Sequence, residues 1–403
     1  MNILAMQVSL CVFSSLGSHS ISCYEGARSA RPIPSEFPMS PQRRDVRSVY
    51  MEWAKLRSAA RYNLAASDLS HLPLADLHVR IEDLEITGPG AYGFEPLMQR
   101  LASKAGVPVE CVVHAQGAAM ANHLAMAALL EPGDEVLVEE PTYEALLAAA
   151  QYLGARIRRI PRRFENGFQL DPREVERAIS PRTRLIVLTN LHNPTGVRTP
   201  DAALKLVGEI ARSLGAHVLV DEVYLEACFD SPWKSAFHLG SNFIATSSLT
   251  KAYGLSGLRC GWVLAAPPLA QRMWRLNDLF GVVAPHTAEL LSVIALDHLP
   301  EITARAKQIL TTNRALLKKL LDSRKDLLSI WPEAGTIAFP QLTTGPAEAF
   351  CQLLREKYET SVVPGRFFEA PEHFRIGIGG ETENVREGLS RVAAALDDLA
   401  SKR

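Results

Sequence analysis

The chain has 403 residues and a mass of 44.2 kDa, and its 47% hydrophobic content is enough for one large core and a second, smaller one. A formal net charge of -1 and a sequence pI near 6.8 leave no electrostatic footprint for nucleic acid or an anionic membrane, and no run of 18 or more firmly apolar residues offers a spanning helix. The six cysteines (Cys11, Cys23, Cys111, Cys228, Cys260 and Cys351) lack C-x-x-C spacing and the 11 histidines lack an H-x-x-x-H pattern, so reduced cytoplasmic thiols and no metal site are expected.

Residues 1–44 carry Ser-rich and Pro-rich stretches such as Pro32-Ile33-Pro34-Ser35 without a sustained period, and read as a disordered extension. Residues 3–16 are apolar, but no basic residue precedes them and no small-x-small cleavage site follows. A secretion signal is therefore disfavoured, and an over-long reading frame with its start at Met39 or Met51 is the alternative. Between Ser48 and Arg61, Val49, Trp53, Leu56 and Ala60 recur at helical spacing and predict an amphipathic helix. The segment Tyr62-Asn63-Leu64-Ala65-Ala66-Ser67-Asp68 follows, and Gly88-Pro89-Gly90-Ala91-Tyr92-Gly93 forms a turn before another helix. Residues 111–130 predict a short strand, a tight turn at Gly117 and a helix. Backbone N–H groups at such a helix start bind anions, which makes Gly117, Ala118 and Ala119 candidates for a phosphate.

Residues 184–196, Arg-Leu-Ile-Val-Leu-Thr-Asn-Leu-His-Asn-Pro-Thr-Gly, predict a buried parallel strand that ends in a turn. Residues 217–224, His-Val-Leu-Val-Asp-Glu-Val-Tyr, predict a second such strand. Leu204, Val207, Ile210, Ala211 and Leu214 mark a helix between them that stops at Gly215. In a strand-helix-strand unit Asn193, Asp221 and Tyr224 lie together on the ligand-binding edge of a doubly wound sheet. A third strand, Asn242 to Thr246, runs into Ser247-Ser248-Leu249-Thr250-Lys251-Ala252-Tyr253-Gly254-Leu255-Ser256-Gly257-Leu258-Arg259. A lysine among small and hydroxyl residues suits a Schiff base with a carbonyl. The planar fork of Arg259, eight positions later, suits a phosphate that the Ser248 hydroxyl also reaches.

Asn193-Pro194-Thr195-Gly196, then Asp221, then Ser248 to Arg259, in that order, resemble the fold type I pyridoxal-5′-phosphate (PLP) enzymes of the aspartate aminotransferase superfamily, class I/II. The resemblance covers nearly everything after residue 45. It implies that Lys251 bonds the cofactor and moves the substrate proton, that Asp221 faces the ring nitrogen, and that Asn193 and Tyr224 bind the phenolic oxygen. It makes Gly117, Ala118, Ala119, Ser248 and Arg259 the phosphate cup, although relatives often have a hydroxyl or amide side chain where this chain reads Ala118-Ala119-Met120. Tyr143, in Glu140-Pro141-Thr142-Tyr143, matches the aromatic residue stacked on the ring.

Towards the C-terminus, Val363-Pro364-Gly365-Arg366-Phe367-Phe368 and His373-Phe374-Arg375-Ile376-Gly377 resemble the substrate end of the family. Arg375, with Asn193, is the implied holder of the substrate carboxylate, and Arg366 is read as a surface charge. Ser67 stands roughly where relatives have a glycine touching the substrate. Tyr92 lies near, but out of register with, a tyrosine that crosses to the partner's phosphate. His192 is read as structural.

The expected fold is α/β: a large PLP-binding domain of residues 76–281 with a mostly parallel sheet flanked by helices, and a smaller α/β domain from both chain ends, residues 45–75 and 282–403. The resemblance implies a homodimer, with the helix near Ser48 packed on the partner. The expected activity is amino-group transfer between an L-amino acid and a 2-oxo acid. The alternative is a PLP-dependent lyase or synthase. A PLP-sensing regulator is disfavoured because residues 1–44 are too short for a winged helix-turn-helix domain.

Overall fold

The computed structural model describes residues 46–230 and 233–401; the expectations for residues 1–44 fall outside that range. Strands β2 (Val112–Gln116), β3 (Glu135–Glu140), β4 (Arg156–Pro161), β5 (Thr183–Thr189), β6 (His217–Asp221), β7 (Phe243–Ser248) and β8 (Cys260–Leu264) form one seven-stranded sheet. Their order across it is β2-β8-β7-β6-β5-β3-β4. Neighbours from β7 to β4 are parallel, whereas β8 runs antiparallel to both β7 and β2.

The buried strands read as continuous apolar runs because each has helices on both sides. Successive side chains point to opposite faces. Val136, Val138, Leu185, Val187 and Leu219 pack on one face with Leu124 and Met126 of the helix Gly117–Leu129. Leu137, Ile186, Leu188, Val218 and Val220 pack on the other with Leu204, Val207 and Ala211 of the helix Asp201–Ser213. That helix joins β5 to β6 as its periodicity predicts. Register aligns Thr189 with Asp221 and Asp221 with Thr246, so the three strand ends and the turns beyond them share one edge.

Shorter strands come from both ends of the chain. Strand β1 (Tyr62–Asn63) pairs in parallel with β12 (Thr360–Ser361). Strand β9 (Leu327–Leu328) pairs with β11 (Gln341–Leu342), and β14 (Phe374–Gly377) lies between β10 (Ile337–Ala338) and β13 (Val363–Pro364). Leu64, Leu317, Phe350, Phe374, Ile376 and Leu389 share one core beneath them. Gly377 lets the segment after β1 lie directly on β14: its N–H donates to the Leu64 carbonyl at 2.6 Å, and a Cβ there would meet the Ala66 carbonyl at 1.7 Å. This close approach carries Ala65 to Asp68 to the sheet edge where β7 ends.

The helix expected over Ser48 to Arg61 is shorter, Val49–Leu56, with the Ser48 hydroxyl accepting from the Met51 N–H at 3.1 Å. Its buried face differs in part. Trp53 is buried as its spacing predicts, but Tyr50 joins it while Val49 and Leu56 are exposed, because the two rings fill an aromatic cluster with Phe367 and Phe368 that outweighs smaller aliphatic contacts. Within this chain the helix start is fixed by Glu144, which accepts from the Ser48 hydroxyl and, at 3.2 Å, from the Val49 N–H.

Candidate active site

At the sheet edge lies a cavity of about 370 Å³, and every site residue expected from the sequence except Gly117 lines it. A larger cavity of about 620 Å³ lies around Lys104 and Glu226, but those two charges satisfy each other at 3.0 Å. Chemistry rather than size therefore marks the smaller one.

Lys251 sits in the turn that leaves β7. The turn is closed by bonds from the Leu249 N–H to the Cys260 carbonyl at 3.0 Å and from the Gly254 N–H to the Thr250 carbonyl at 3.2 Å. The Lys251 Nζ lies 3.1 Å from the Ser67 Oγ and 3.9 Å from an Asp68 carboxylate oxygen. Ser248, 2% exposed, ends the strand with its hydroxyl accepting from the Thr250 N–H at 3.3 Å.

Arg259 opens β8 in the left-handed region (φ 50°) and, among the described residues, donates only to main-chain carbonyls, those of Gln116 at 3.3 Å and Ser256 at 3.4 Å. Its guanidinium lies over Gly117. That residue has φ +81°, and a Cβ on it would come within 2.2 Å of the Arg259 Nη2. Gly117 thus stands behind the cavity wall as the residue that admits Arg259, while Ala118 and Ala119 in the first turn of the helix reach the cavity itself.

Asp221, 5% exposed at the end of β6, accepts from the Asn122 amide at 2.7 Å and from the Val223 N–H at 3.2 Å. The Thr246 hydroxyl donates to the Asn122 Oδ1 at 2.6 Å and so orients the amide. Burial pushes the Asp221 carboxyl up to about 6, against these hydrogen bonds and the Lys251 charge. Asn122 was not anticipated from the sequence. Its signal was a lone amide in a helix otherwise rich in Ala, Leu and Met, one turn beyond the segment where a polar side chain was missed.

Asn193 is placed by its N–H bond to the Thr189 hydroxyl at 2.9 Å, and Thr189 in turn donates to buried Glu139 at 2.5 Å. Arg162 pairs with Glu139 at 2.8 Å, with both side chains fully buried. His192 lies behind the same turn, bridging the Thr195 hydroxyl at 2.7 Å and the Pro141 carbonyl at 3.0 Å; burial pushes its pKa well down, consistent with a structural role.

Arg375, 1% exposed on β14, donates to the Asn193 Oδ1 at 3.0 Å, the Tyr50 hydroxyl at 2.8 Å and the Ala65 carbonyl at 3.3 Å. Its Nε has no partner among the described residues. Tyr50 was also missed, because the spacing that predicts its helix runs through Val49, Trp53, Leu56 and Ala60 and leaves Tyr50 out. Tyr143 meets Tyr50 edge-on at 5.8 Å, and Tyr224 is 2% exposed. Arg366 is on the surface, paired with Glu348 at 2.6 Å. Tyr92 lies outside this cavity, its hydroxyl donating to Asp278 at 2.8 Å.

Residues 82–392 match the family model described as aminotransferase class I and II. The chain belongs to that family. It is 32% identical to the arginine–pyruvate transaminase AruH of Pseudomonas aeruginosa over 76% of this chain and 81% of that protein. It is 30% identical to the capreomycidine synthase of Streptomyces vinaceus over 92% of this chain and 97% of that protein. Among solved structures, a PLP-dependent aminotransferase from Streptococcus suis superposes with a TM-score of 0.83 at 29% identity, covering 88% of this chain and 99% of that one. The α/β fold and the mostly parallel sheet are those of the class I and II aminotransferase family, whose cofactor is pyridoxal phosphate.

The residues present fit that cofactor. Asp221 is a buried carboxylate with no cation at salt-bridge distance among the described residues, which suits a protonated ring nitrogen. Among the described residues Arg259 has only carbonyl partners, and it lies beside a helix start, which suits a phosphate. Among the described residues no helix is long and apolar enough to cross a membrane, no group of side chains could hold a metal ion, and Cys111, Cys228, Cys260 and Cys351 are free and buried.

Proposed function

We propose that this enzyme is an aminotransferase that moves the amino group between an L-amino acid and a 2-oxo acid. The observation that carries the reading is Arg375, a buried guanidinium facing the same cavity as Lys251 and held, among the described residues, only by neutral oxygens. A substrate carboxylate is the counter-ion it lacks.

Bound PLP supplies an electron sink that acidifies the substrate Cα–H. Around it, Arg259, the Ser248 hydroxyl and the N–H groups of Ala118 and Ala119 hold the phosphate. Asp221, oriented by Asn122, holds the proton on the ring nitrogen. Asn193 and Tyr224 hold the phenolic oxygen, and Tyr143 covers the ring face and excludes water. Arg375 and Asn193 orient the substrate so that its Cα–H points at Lys251. The Lys251 Nζ would hold the cofactor through its carbonyl and, when free, would serve as the general acid/base for the substrate Cα proton. The Ser67 hydroxyl at 3.1 Å steadies that amine.

The likeness to an arginine–pyruvate transaminase supports amino-group transfer. The second reading, a synthase or lyase on the same scaffold, is supported by the likeness to capreomycidine synthase over most of the chain. The test is to mix holoenzyme with single amino acids and no oxo acid. Stoichiometric conversion of the bound cofactor to pyridoxamine phosphate, with one 2-oxo acid released, is expected. Repeated turnover to ammonia or a cyclised product with PLP retained would favour the synthase reading.

Three further expectations belong to this proposal. The separate sheets support a large domain of about residues 76–281 and a small one of 45–75 with 282–403. The exposed apolar side chains Ile81, Ile86, Leu279, Phe280 and Val282 support a second copy of the chain as partner, since the stretch near Glu85 and that near Thr287 are bonded together. The buried free thiols support a cytoplasmic location.

A further inference from the structure

The charges in the cavity can be matched to the groups they serve. Among the described residues the wall carries three cations, Lys251, Arg259 and Arg375, and two carboxylates, Asp68 and Asp221. On the aminotransferase reading, on which this inference rests, Arg259 faces the phosphate, Asp221 the ring nitrogen, Arg375 the substrate carboxylate and Lys251 the cofactor carbonyl. Asp68 is the one charge left without a role.

Asp68 is neither a surface acid nor a member of an internal network. Its side chain is 36% exposed, and its carboxylate accepts no hydrogen bond from another described residue. Its one ion-pair neighbour among the described residues is the Lys251 Nζ at 3.9 Å, beyond hydrogen-bond range, and that amine is committed to the cofactor. The backbone beneath it is clamped on three sides. The Thr336 hydroxyl donates to the Ser67 carbonyl at 2.6 Å, the Leu69 N–H to the Lys251 carbonyl at 3.0 Å, and the Ser70 N–H to the Gly379 carbonyl at 2.6 Å. A Cβ on Gly379 would meet the Asp68 carbonyl at 2.2 Å, so the strand carrying Arg375 continues directly into the support of Asp68. The carboxylate is therefore presented at a fixed place beside the point where the substrate amine binds.

We propose that Asp68 selects substrates whose side chain carries a positive charge, an ammonium or guanidinium group. A substrate anchored by its amine at Lys251 and its carboxylate at Arg375 has only its side chain free to meet Asp68. A cationic side chain supplies the missing counter-ion; a neutral one leaves the carboxylate unpaired, and an acidic one is repelled. No cation of this wall remains for a second substrate carboxylate.

The test uses PLP-loaded enzyme and amino acids paired by shape but not by charge: arginine with citrulline, ornithine with norleucine, and glutamate as the acidic control. Two readouts are taken. One is the half-reaction of the active enzyme. The other is equilibrium binding to Lys251→Ala, which cannot turn over, followed by the absorbance of the bound cofactor. The charged member of each pair should be favoured about tenfold or more in both, with glutamate weakest. Asp68→Asn should bring the ratio of charged to neutral towards one, and Asp68→Glu should keep the preference, which separates charge from folding.

Equal binding of charged and neutral partners by the unaltered wall would overturn the proposal. So would an equal loss for both in Asp68→Asn together with a displaced pH profile, which would make Asp68 a positioning residue for Lys251. If no amino acid yields pyridoxamine phosphate but the binding ratio and its loss in Asp68→Asn persist, amino-group transfer fails while the assignment of Asp68 stands. If pyridoxamine phosphate forms equally from charged and neutral partners, the reverse holds.

Discussion

The Arg375 guanidinium donates to the Asn193 side-chain oxygen at 3.0 Å, joining a strand near the C-terminus to the turn after β5 across 182 positions of sequence. Neither this contact nor the Tyr50 and Ala65 oxygens neutralise the arginine. Leaving a charge buried without an opposite charge is costly, and such an arrangement persists where a ligand supplies the partner.

Arg375→Ala should therefore raise KM for the amino acid by a factor corresponding to about 2–5 kcal/mol, with PLP affinity nearly unchanged. Arg375→Lys should not restore it, because an ammonium lacks the two-pronged fit to a carboxylate. Tyr50→Phe removes one of the three oxygens and should raise KM by a smaller factor, about 0.5–1.5 kcal/mol. Steady-state kinetics beside a PLP titration checks all three; equal loss of cofactor in Arg375→Ala would remove it from the substrate site.

Lys251→Ala should keep PLP through the phosphate and ring contacts yet contain no bond between protein and cofactor. Reduction with borohydride followed by mass spectrometry of the intact chain reads this directly. A protein adduct that survives in the variant would transfer the role to another amine.

Asp221 links pH to stability. Its folded-state pKa of about 6 lies above the ordinary 3.8, so folding disfavours its ionised form. In the cofactor-free protein the cost is absent below about pH 4, grows as the pH rises and is complete above about pH 6, where it reaches about 3 kcal/mol. Asp221→Asn should accordingly stabilise the cofactor-free protein more at pH 8 than at pH 5 in urea denaturation. The same variant should slow Cα deprotonation in the holoenzyme by orders of magnitude. A stability difference that does not change with pH, or an unchanged single-turnover rate, would contradict this account.

Gly117 and Arg259 should fail together. A Cβ at position 117 would lie 2.2 Å from the Arg259 Nη2, so Gly117→Ala must displace the guanidinium. Both Gly117→Ala and Arg259→Ala should weaken PLP by roughly 2–5 kcal/mol. Gly106 is the control, with φ +65° and open space where its Cβ would be; Gly106→Ala should cost about 1 kcal/mol of stability and leave PLP affinity alone. Equilibrium dialysis of PLP with thermal melting separates the two effects.

The strands Thr183–Thr189, His217–Asp221 and Phe243–Ser248 and the helix Asp201–Ser213 were legible in the sequence, as was the convergence of Asn193, Asp221 and Lys251 at their ends. Apolar runs, helical spacing and turn residues are local patterns, and parallel strands joined by a helix must bring their C-terminal ends to one edge. The partners of those residues were decided only by tertiary structure. Asn122 meets Asp221 across 99 positions and Tyr50 meets Arg375 across 325, and no local pattern reaches that far. The helix at Val49–Leu56 shows the same limit: its spacing predicts a helix, but which face is buried follows from the aromatic cluster it joins. The sequence determines where polar groups lie along each element, whereas packing determines which of them face one another once water has been excluded.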